Sequence, residues 1–291
     1  MSISRMRLRG ALGQAGTIAV TLLGLLLLTF VIGRMMPADP VRAIVGEEAS
    51  PEIYQQVFQQ LGLDRPLWEQ FLRYLGDVLT GDFGTSIRTG KPVIEDILHV
   101  MPATIELATF AILIGAGLGI PLGVLTGLSP LFSRATTPLF QFARMISPLS
   151  WMPIAVMVLG VGDAPVYFLL AFAAVWPILL NTAAGVSQLD PNWLLLGRSL
   201  SATRAETLLK LILPGITAHI LTGVRLAIGI IWIVLVPAEM LGVSEGLGYF
   251  ILDARDRLAY SDLMAAILVI GFLGYLLDHA ARSLHRRWLH A

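Results

Sequence analysis

Residues 190–214 read DPNWLLLGRSLSATRAETLLKLILP, a polar, helix-capped stretch set between two long apolar runs. Asp190 is placed to cap a first short helix, with Pro191 at its first position, where a missing N–H costs nothing. Thr203 followed by Glu206 is a capping-box pattern for a second helix: the hydroxyl accepts from a backbone N–H while the carboxylate reaches back to the cap. Leu208, Leu209 and Ile212 give that second helix one apolar face, and Arg204 and Lys210 project elsewhere. The expectation is two short helices with a defined shape, on which a partner docks. An ordinary amphipathic interfacial helix is the simpler alternative.

The flanking sequence decides the setting. Hydrophobic residues make up 56% of the chain and charged residues 14%, which excludes a soluble domain of ordinary makeup. A bilayer core takes roughly 20 residues of helix, and six runs qualify: about 16–35, 103–128, 138–160, 164–186, 215–241 and 261–281. The expected fold class is an all-α polytopic membrane protein with six transmembrane helices, both termini on one side. Arg5, Arg7, Arg9, Arg134, Arg198, Arg204, Lys210, Arg282, Arg286 and Arg287 all fall on that side, which the positive-inside rule makes cytoplasmic. Three parts follow: 1–37, the N-terminus and first helix; 38–101, an external segment; and 102–291, a five-helix core carrying the 190–214 segment. The external segment has helical patterning over 51–62 and 66–79 around the turn-like Gly62-Leu63-Asp64-Arg65-Pro66. The first run lacks a small-residue cleavage site after Gly33 and reads as a retained helix. With no cysteine, disulfides and thiolate metal sites are excluded. No nucleic-acid partner is expected.

Ionisable and polar residues within the runs are the candidates for a translocation pathway. Arg225 lies ten residues beyond Gly215, roughly 15 Å into its helix and near the midplane. It is suited either to attracting an anionic substrate or to pairing with a carboxylate that holds helices together. Glu239 and Glu106 lie nearer the outer end, Glu106 at the interface, and Arg144 is placed to snorkel. Pro148 and Pro153 flank Ser150-Trp151-Met152, which predicts a kinked or broken helix, either lining a cavity or only packing. Asn181, after Pro177, is suited to a helix-to-helix hydrogen bond or to touching cargo. The pathway set is thus Trp151, Asn181, Arg225 and Glu239. His99, His219, His279, His285 and His290 show no metal-ligand spacing, so no metal site is expected. There is no G-x-x-x-x-G-K-[ST] loop, so the chain is not expected to be an ATP-hydrolysing enzyme.

The 190–214 segment resembles the cytoplasmic coupling loop of ATP-binding-cassette importer permeases, in which a glycine is followed thirteen residues later by the proline of a Leu-Pro pair. Leu213-Pro214 match its end, and Arg198-Ser199-Leu200 with Ala202 match its middle. Ser201 stands where the family has glycine, and Leu195-Leu196-Gly197 replaces an acidic, alanine-rich start. The N-terminal part resembles oligopeptide, dipeptide and nickel permeases through Pro37-Ala38-Asp39-Pro40, Leu61 to Pro66, Gly81-Asp82-Phe83-Gly84-Thr85-Ser86 and Pro102-Ala103-Thr104. The C-terminal part resembles nitrate, sulfonate and taurine permeases through Trp176 to Thr182, Ala238-Glu239-Met240-Leu241-Gly242, Gly246-Leu247-Gly248-Tyr249 and Asp253-Ala254-Arg255. The resemblance implies a type I importer permease fold with a helical external insertion after the first helix, in a bacterial inner membrane. It implies ATPase coupling through Gly197, Arg198, Ser201, Ala202, Thr203, Arg204, Leu213 and Pro214. The implied partners are two cytoplasmic ATPases, which hold the ATP and magnesium, an external solute-binding protein, membrane lipid, and a second permease as homo- or heterodimer. This chain itself is expected to hold no cofactor, and the cargo classes are a peptide, a metal chelate or a small organic anion. The competing classes are a secondary transporter or channel working without an ATPase, and a membrane scaffold.

Overall fold

The computed structural model describes residues 16, 20–28, 30–31, 40–46, 48–86, 88–257 and 259–289. Helical residues at 20–28 and 30–31 come first. They are followed by α1 (Pro40–Val45), α2 (Pro51–Gln60), α3 (Leu67–Thr80), α4 (Val93–Leu128), α5 (Pro130–Met145), a 3-10 turn (Pro148–Trp151), α6 (Met152–Leu159) and α7 (Asp163–Ser187). Then come α8 (Pro191–Ser199), α9 (Arg204–Glu206), a π turn (Thr207–Ile212), α10 (Leu213–Gly242), α11 (Leu247–Asp256) and α12 (Tyr260–Leu289). Among the described residues the only other pairing is an isolated bridge, Thr85 with Pro92.

Four helical runs are long and apolar enough to cross a bilayer: Val93–Leu128, Asp163–Ser187, Arg204–Gly242 and Ser261–Ser283. A fifth is the pair α5 and α6, bent by 90°. The expected span at 138–160 is broken, as its prolines predicted: the backbone is extended at Ile146 and Ser147 and turns there, just before Pro148, which has no N–H to continue the ladder. The expected first span, 16–35, falls partly outside the described residues, as do Arg5, Arg7 and Arg9, the Pro37-Ala38-Asp39 motif and the side chains of Arg286 and Arg287.

The chain forms two compact units, residues 1–99 with 250–271, and residues 100–249 with 272–291. In the first, Ser50 caps α2 by accepting from the Ile53 N–H, and Gly81 ends α3 in the left-handed conformation (φ 78°). Asp82 Oδ1 accepts from the Gly84 N–H at 2.9 Å, starting a tight hairpin in which Ser86 N donates to Lys91 O and Val93 N to Gly84 O. The hairpin is pinned by polar contacts. Buried Ser86 donates to Asp262 at 3.3 Å, Thr89 donates to Asp96 at 2.7 Å, and Arg88 approaches Asp96 at 3.4 Å.

In the second unit α7 is buried on most of its circumference, with Leu169, Leu170, Ile178 and Leu179 wholly enclosed. Gly115, Gly119, Gly123 and Gly127 form a stripe four residues apart along α4, and a methyl group on any of them would come within 2.5–3.0 Å of α7. Opposite them stand Ala174, Ile178, Thr182 and Val186, also four apart. In lipid, where apolar burial drives helix pairing weakly, such close backbone approach supplies the contact. On α10, Gly223 would place a methyl 2.9 Å from the Pro177 carbonyl and the Ile178 Cα, so α10 also lies tightly on α7.

Candidate functional site

The 190–214 segment is built from local rules. Asp190 Oδ1 accepts from the Asn192 N–H at 2.9 Å and Pro191 opens α8. The helix ends in a Schellman motif: Ala202 N donates to Gly197 O, and Ser201 N donates to Arg198 O, each at 3.0 Å. This geometry requires a left-handed residue at Ser201, whose φ of 53° is the only positive value among the described non-glycine residues. The glycine that the resemblance led one to expect at this position adopts that conformation without steric cost.

Thr203 then starts a new helix through a reciprocal capping box. Its hydroxyl accepts from the Glu206 N–H at 3.2 Å, while Glu206 Oε2 accepts from the Thr203 N–H at 3.0 Å. Glu206 lies in the 190–214 segment, outside the apolar part of the run. The Thr203 backbone N–H, then its hydroxyl, then Lys210 hold the Glu206 carboxyl below its usual range. The second short helix does not stop at Leu213-Pro214 as the sequence suggested. Pro214 has no N–H and its ring would crowd the Lys210 carbonyl in an α-helix, so the backbone widens into a π turn in which Leu213 N donates to Leu208 O. Arg204 to Gly242 is consequently one helical run of 39 residues, roughly 58 Å long and about twice a bilayer core.

The expected apolar face of this helix is also redistributed. Ile212 is buried and Leu208 half-buried, but Leu209 is exposed. Leu195, Leu196 and Leu200 of α8 are exposed too, beside exposed Arg198, Ser201, Thr203 and Arg204. Gly197 is buried, and a methyl there would meet Leu211 at 2.8 Å, so it lets α8 lie against the π turn. Ala202 and Leu213 are half-buried and Pro214 is exposed.

The four pathway candidates sit in separate environments. Glu239 is fully buried and its Oε2 accepts from the Gly248 N–H at 2.6 Å, while Leu247 N donates to Thr104 Oγ1 at 2.8 Å. Glu239 and Thr104 thus satisfy free N–H groups at the start of α11, and methyl groups on Gly246 or Gly248 would collide with Glu239. Asn181 donates to the Pro177 carbonyl of its own helix at 2.8 Å, in place of the cross-helix bond suggested by sequence. Arg225 Nε lies 3.6 Å from Asp278 on α12. Trp151 packs against Phe172 with ring centroids 5.9 Å apart. Phe172 in turn contacts Phe168 and Trp176, which forms a row at i, i+4 and i+8 that the sequence carried but composition did not single out.

A family model described as binding-protein-dependent transport system inner membrane component matches residues 119–290, and the model of the corresponding N-terminal region matches 7–108. The bicarbonate transport system permease protein CmpB of Synechococcus elongatus is 40% identical over 178 residues, which are 60% of this chain and 63% of that one. This chain therefore spans a little under two thirds of that relative. The probable D,D-dipeptide transport system permease protein DdpB of Escherichia coli is 41% identical over 140 residues, 48% of this chain and 41% of that one. In fold, an inward-facing crystal form of the MetNI methionine ABC transporter superposes with a TM-score of 0.55 at 16% identity, over 66% of this chain and 95% of that one. The chain belongs to the family of binding-protein-dependent transport system inner membrane components, the multi-pass membrane subunits of such systems.

Proposed function

We propose that this chain is a permease subunit of an ATP-binding-cassette importer, and that residues 190–214 dock a cytoplasmic ATPase. The observation that carries the reading is the exposed Leu195, Leu196 and Leu200 with Arg198 on the capped helix α8, which packs at Gly197 against a second capped element, bearing Arg204, that is continuous with a membrane-crossing helix. Apolar side chains rimmed by cations on a rigid support suit a protein partner. When paired ATPases close on ATP, a displacement at Thr203 enters α10 directly, because no flexible joint intervenes. The arrangement of arginines supports a cytoplasmic position for this segment and both termini. The partners in this reading are two ATPases holding ATP and magnesium, an external solute-binding protein and a second permease, identical or related.

For cargo, the likeness to the bicarbonate permease over 60% of the chain supports a small oxoanion. A peptide is the second reading, favoured by the shorter stretch shared with the dipeptide permease. The four pathway candidates receive different roles: Trp151 flanks the aromatic row, Asn181 and Glu239 hold backbone, and Arg225 pairs across helices.

The test is co-purification. Leu200→Asp and Ala202→Glu are expected to lower recovery of the ATPase about tenfold, the equivalent of roughly 1.4 kcal/mol, while the permease still elutes as a single folded species. Recovery unchanged in both variants, or uptake persisting without any ATPase, overturns the reading. Calorimetry of the solute-binding protein with bicarbonate, nitrate, a sulfonate and a dipeptide separates the two cargo classes.

A further inference from the structure

Asp278 on α12 serves two cations. Its Oδ1 lies 3.6 Å from Arg225 Nε on α10, and its Oδ2 contacts an Arg282 terminal nitrogen. One carboxylate against two guanidinium groups leaves a positive charge over. Donors are left over as well: Arg282 Nε is buried without an acceptor among the described residues, and the Arg225 contact is too long to be a strong hydrogen bond.

The place of this cluster defines what completes it. Asp278 and Arg282 occupy the last turns of the apolar run Ser261–Ser283, Asp278 roughly 8 Å from its end. Measured back from Gly242, about 20 residues of α10 cross the apolar core, which puts Arg225 within a turn of the far boundary. It is therefore nearer a membrane surface than counting from Gly215 suggested. The three side chains are 38%, 43% and 40% exposed, so this chain leaves part of each accessible although Arg282 Nε itself is enclosed. Leu226, Phe272, Leu276 and Leu277 are exposed apolar residues on the same two helices. An unmatched cation beside hydrocarbon is costly unless an anion accompanies it. The anion available at the boundary of acyl chains and headgroups is a lipid phosphate, whose oxygens suit guanidinium forks.

We infer that Arg225 and Arg282 form a seat for the phosphate of an anionic phospholipid, which shares their guanidinium groups with Asp278, and that the neighbouring apolar residues take the acyl chains. The inference does not depend on the cargo or on the ATPase.

The test uses the full chain in nanodiscs of phosphatidylcholine and phosphatidylglycerol in equal parts, with retained lipid counted by native mass spectrometry. Wild type is expected to retain phosphatidylglycerol preferentially, and Arg225→Gln with Arg282→Gln together to reduce that retention about tenfold. Asp278→Asn removes the competing carboxylate and is expected to retain at least as much as wild type, an outcome that a purely structural ion pair does not give. Should the double variant fail to fold, Asp278→Asn decides alone. The inference is overturned if the double variant retains wild-type amounts or if Asp278→Asn loses the lipid. Displacement by inorganic phosphate alone overturns the lipid source in favour of a free oxoanion. A disulfide between copies carrying Arg225→Cys and Asp278→Cys overturns it in favour of a second copy.

Discussion

Ser201 concentrates the local chemistry of the 190–214 segment in one backbone angle. A side chain at φ 53° crowds the following carbonyl, costing about 1 kcal/mol that glycine avoids. Ser201→Gly is expected to stabilise the segment by about that amount, read as a higher melting temperature of the detergent-solubilised protein, whereas Ser201→Val lowers it. Glu239 behaves differently, because its partners are buried. Glu239→Ala leaves the Gly248 N–H without an acceptor, a loss of roughly 1–3 kcal/mol. It is expected to speed hydrogen exchange at residues 247–249, and Glu239→Gln, which keeps an amide oxygen, restores most of the protection. The caps at Asp190 and Thr203 were legible in sequence because each is closed by a residue two or three positions on. The Arg225 partner was not: Asp278 lies 53 positions later, and only tertiary packing brings them together.

Among the elements, the pair α4 and α7 shows how much depends on the absence of side chains. Gly123 faces the Leu179 carbonyl and Thr182, and a methyl there would lie 2.6 Å from each. Gly123→Val is expected to push the helices apart and destabilise the protein by about 1–3 kcal/mol, measured as loss of folded protein in a thermal series followed by size exclusion. Gly117, with open space around its Cβ position, tolerates Gly117→Ala in the same assay. The four-residue spacing of the stripe was present in the sequence, but its partner was not identifiable from α4 alone. The broken span was half legible. Pro148 and Pro153 marked the region, while the size of the bend, 90° at Ile146 and Ser147 just ahead of Pro148, was not readable from them. The π turn was invisible because Pro214 reads equally well as the first residue of a new helix.

At the scale of the whole molecule, composition and hydropathy gave the membrane class directly, since apolar runs of this length have no other solvent. What they did not give was the continuity of the second capped element, from Arg204 onward, with α10. That continuity yields a test at this scale: two glycines inserted after Ile212 are expected to leave ATPase recovery and ATP hydrolysis in place while uptake per ATP falls severalfold in proteoliposomes. Equal uptake per ATP in the insertion variant would mean that force reaches the pathway by another route. The glycine stripe limits the motions open to α4 and α7. Sliding α4 along α7 by one, two or three residues sets a Cβ against backbone, and only a step of four, roughly 6 Å, returns glycine to the contact line. Small slips are blocked in both directions, as teeth block a rack, so the pair is expected to move as one piece, with any change of shape falling to the joints at its ends.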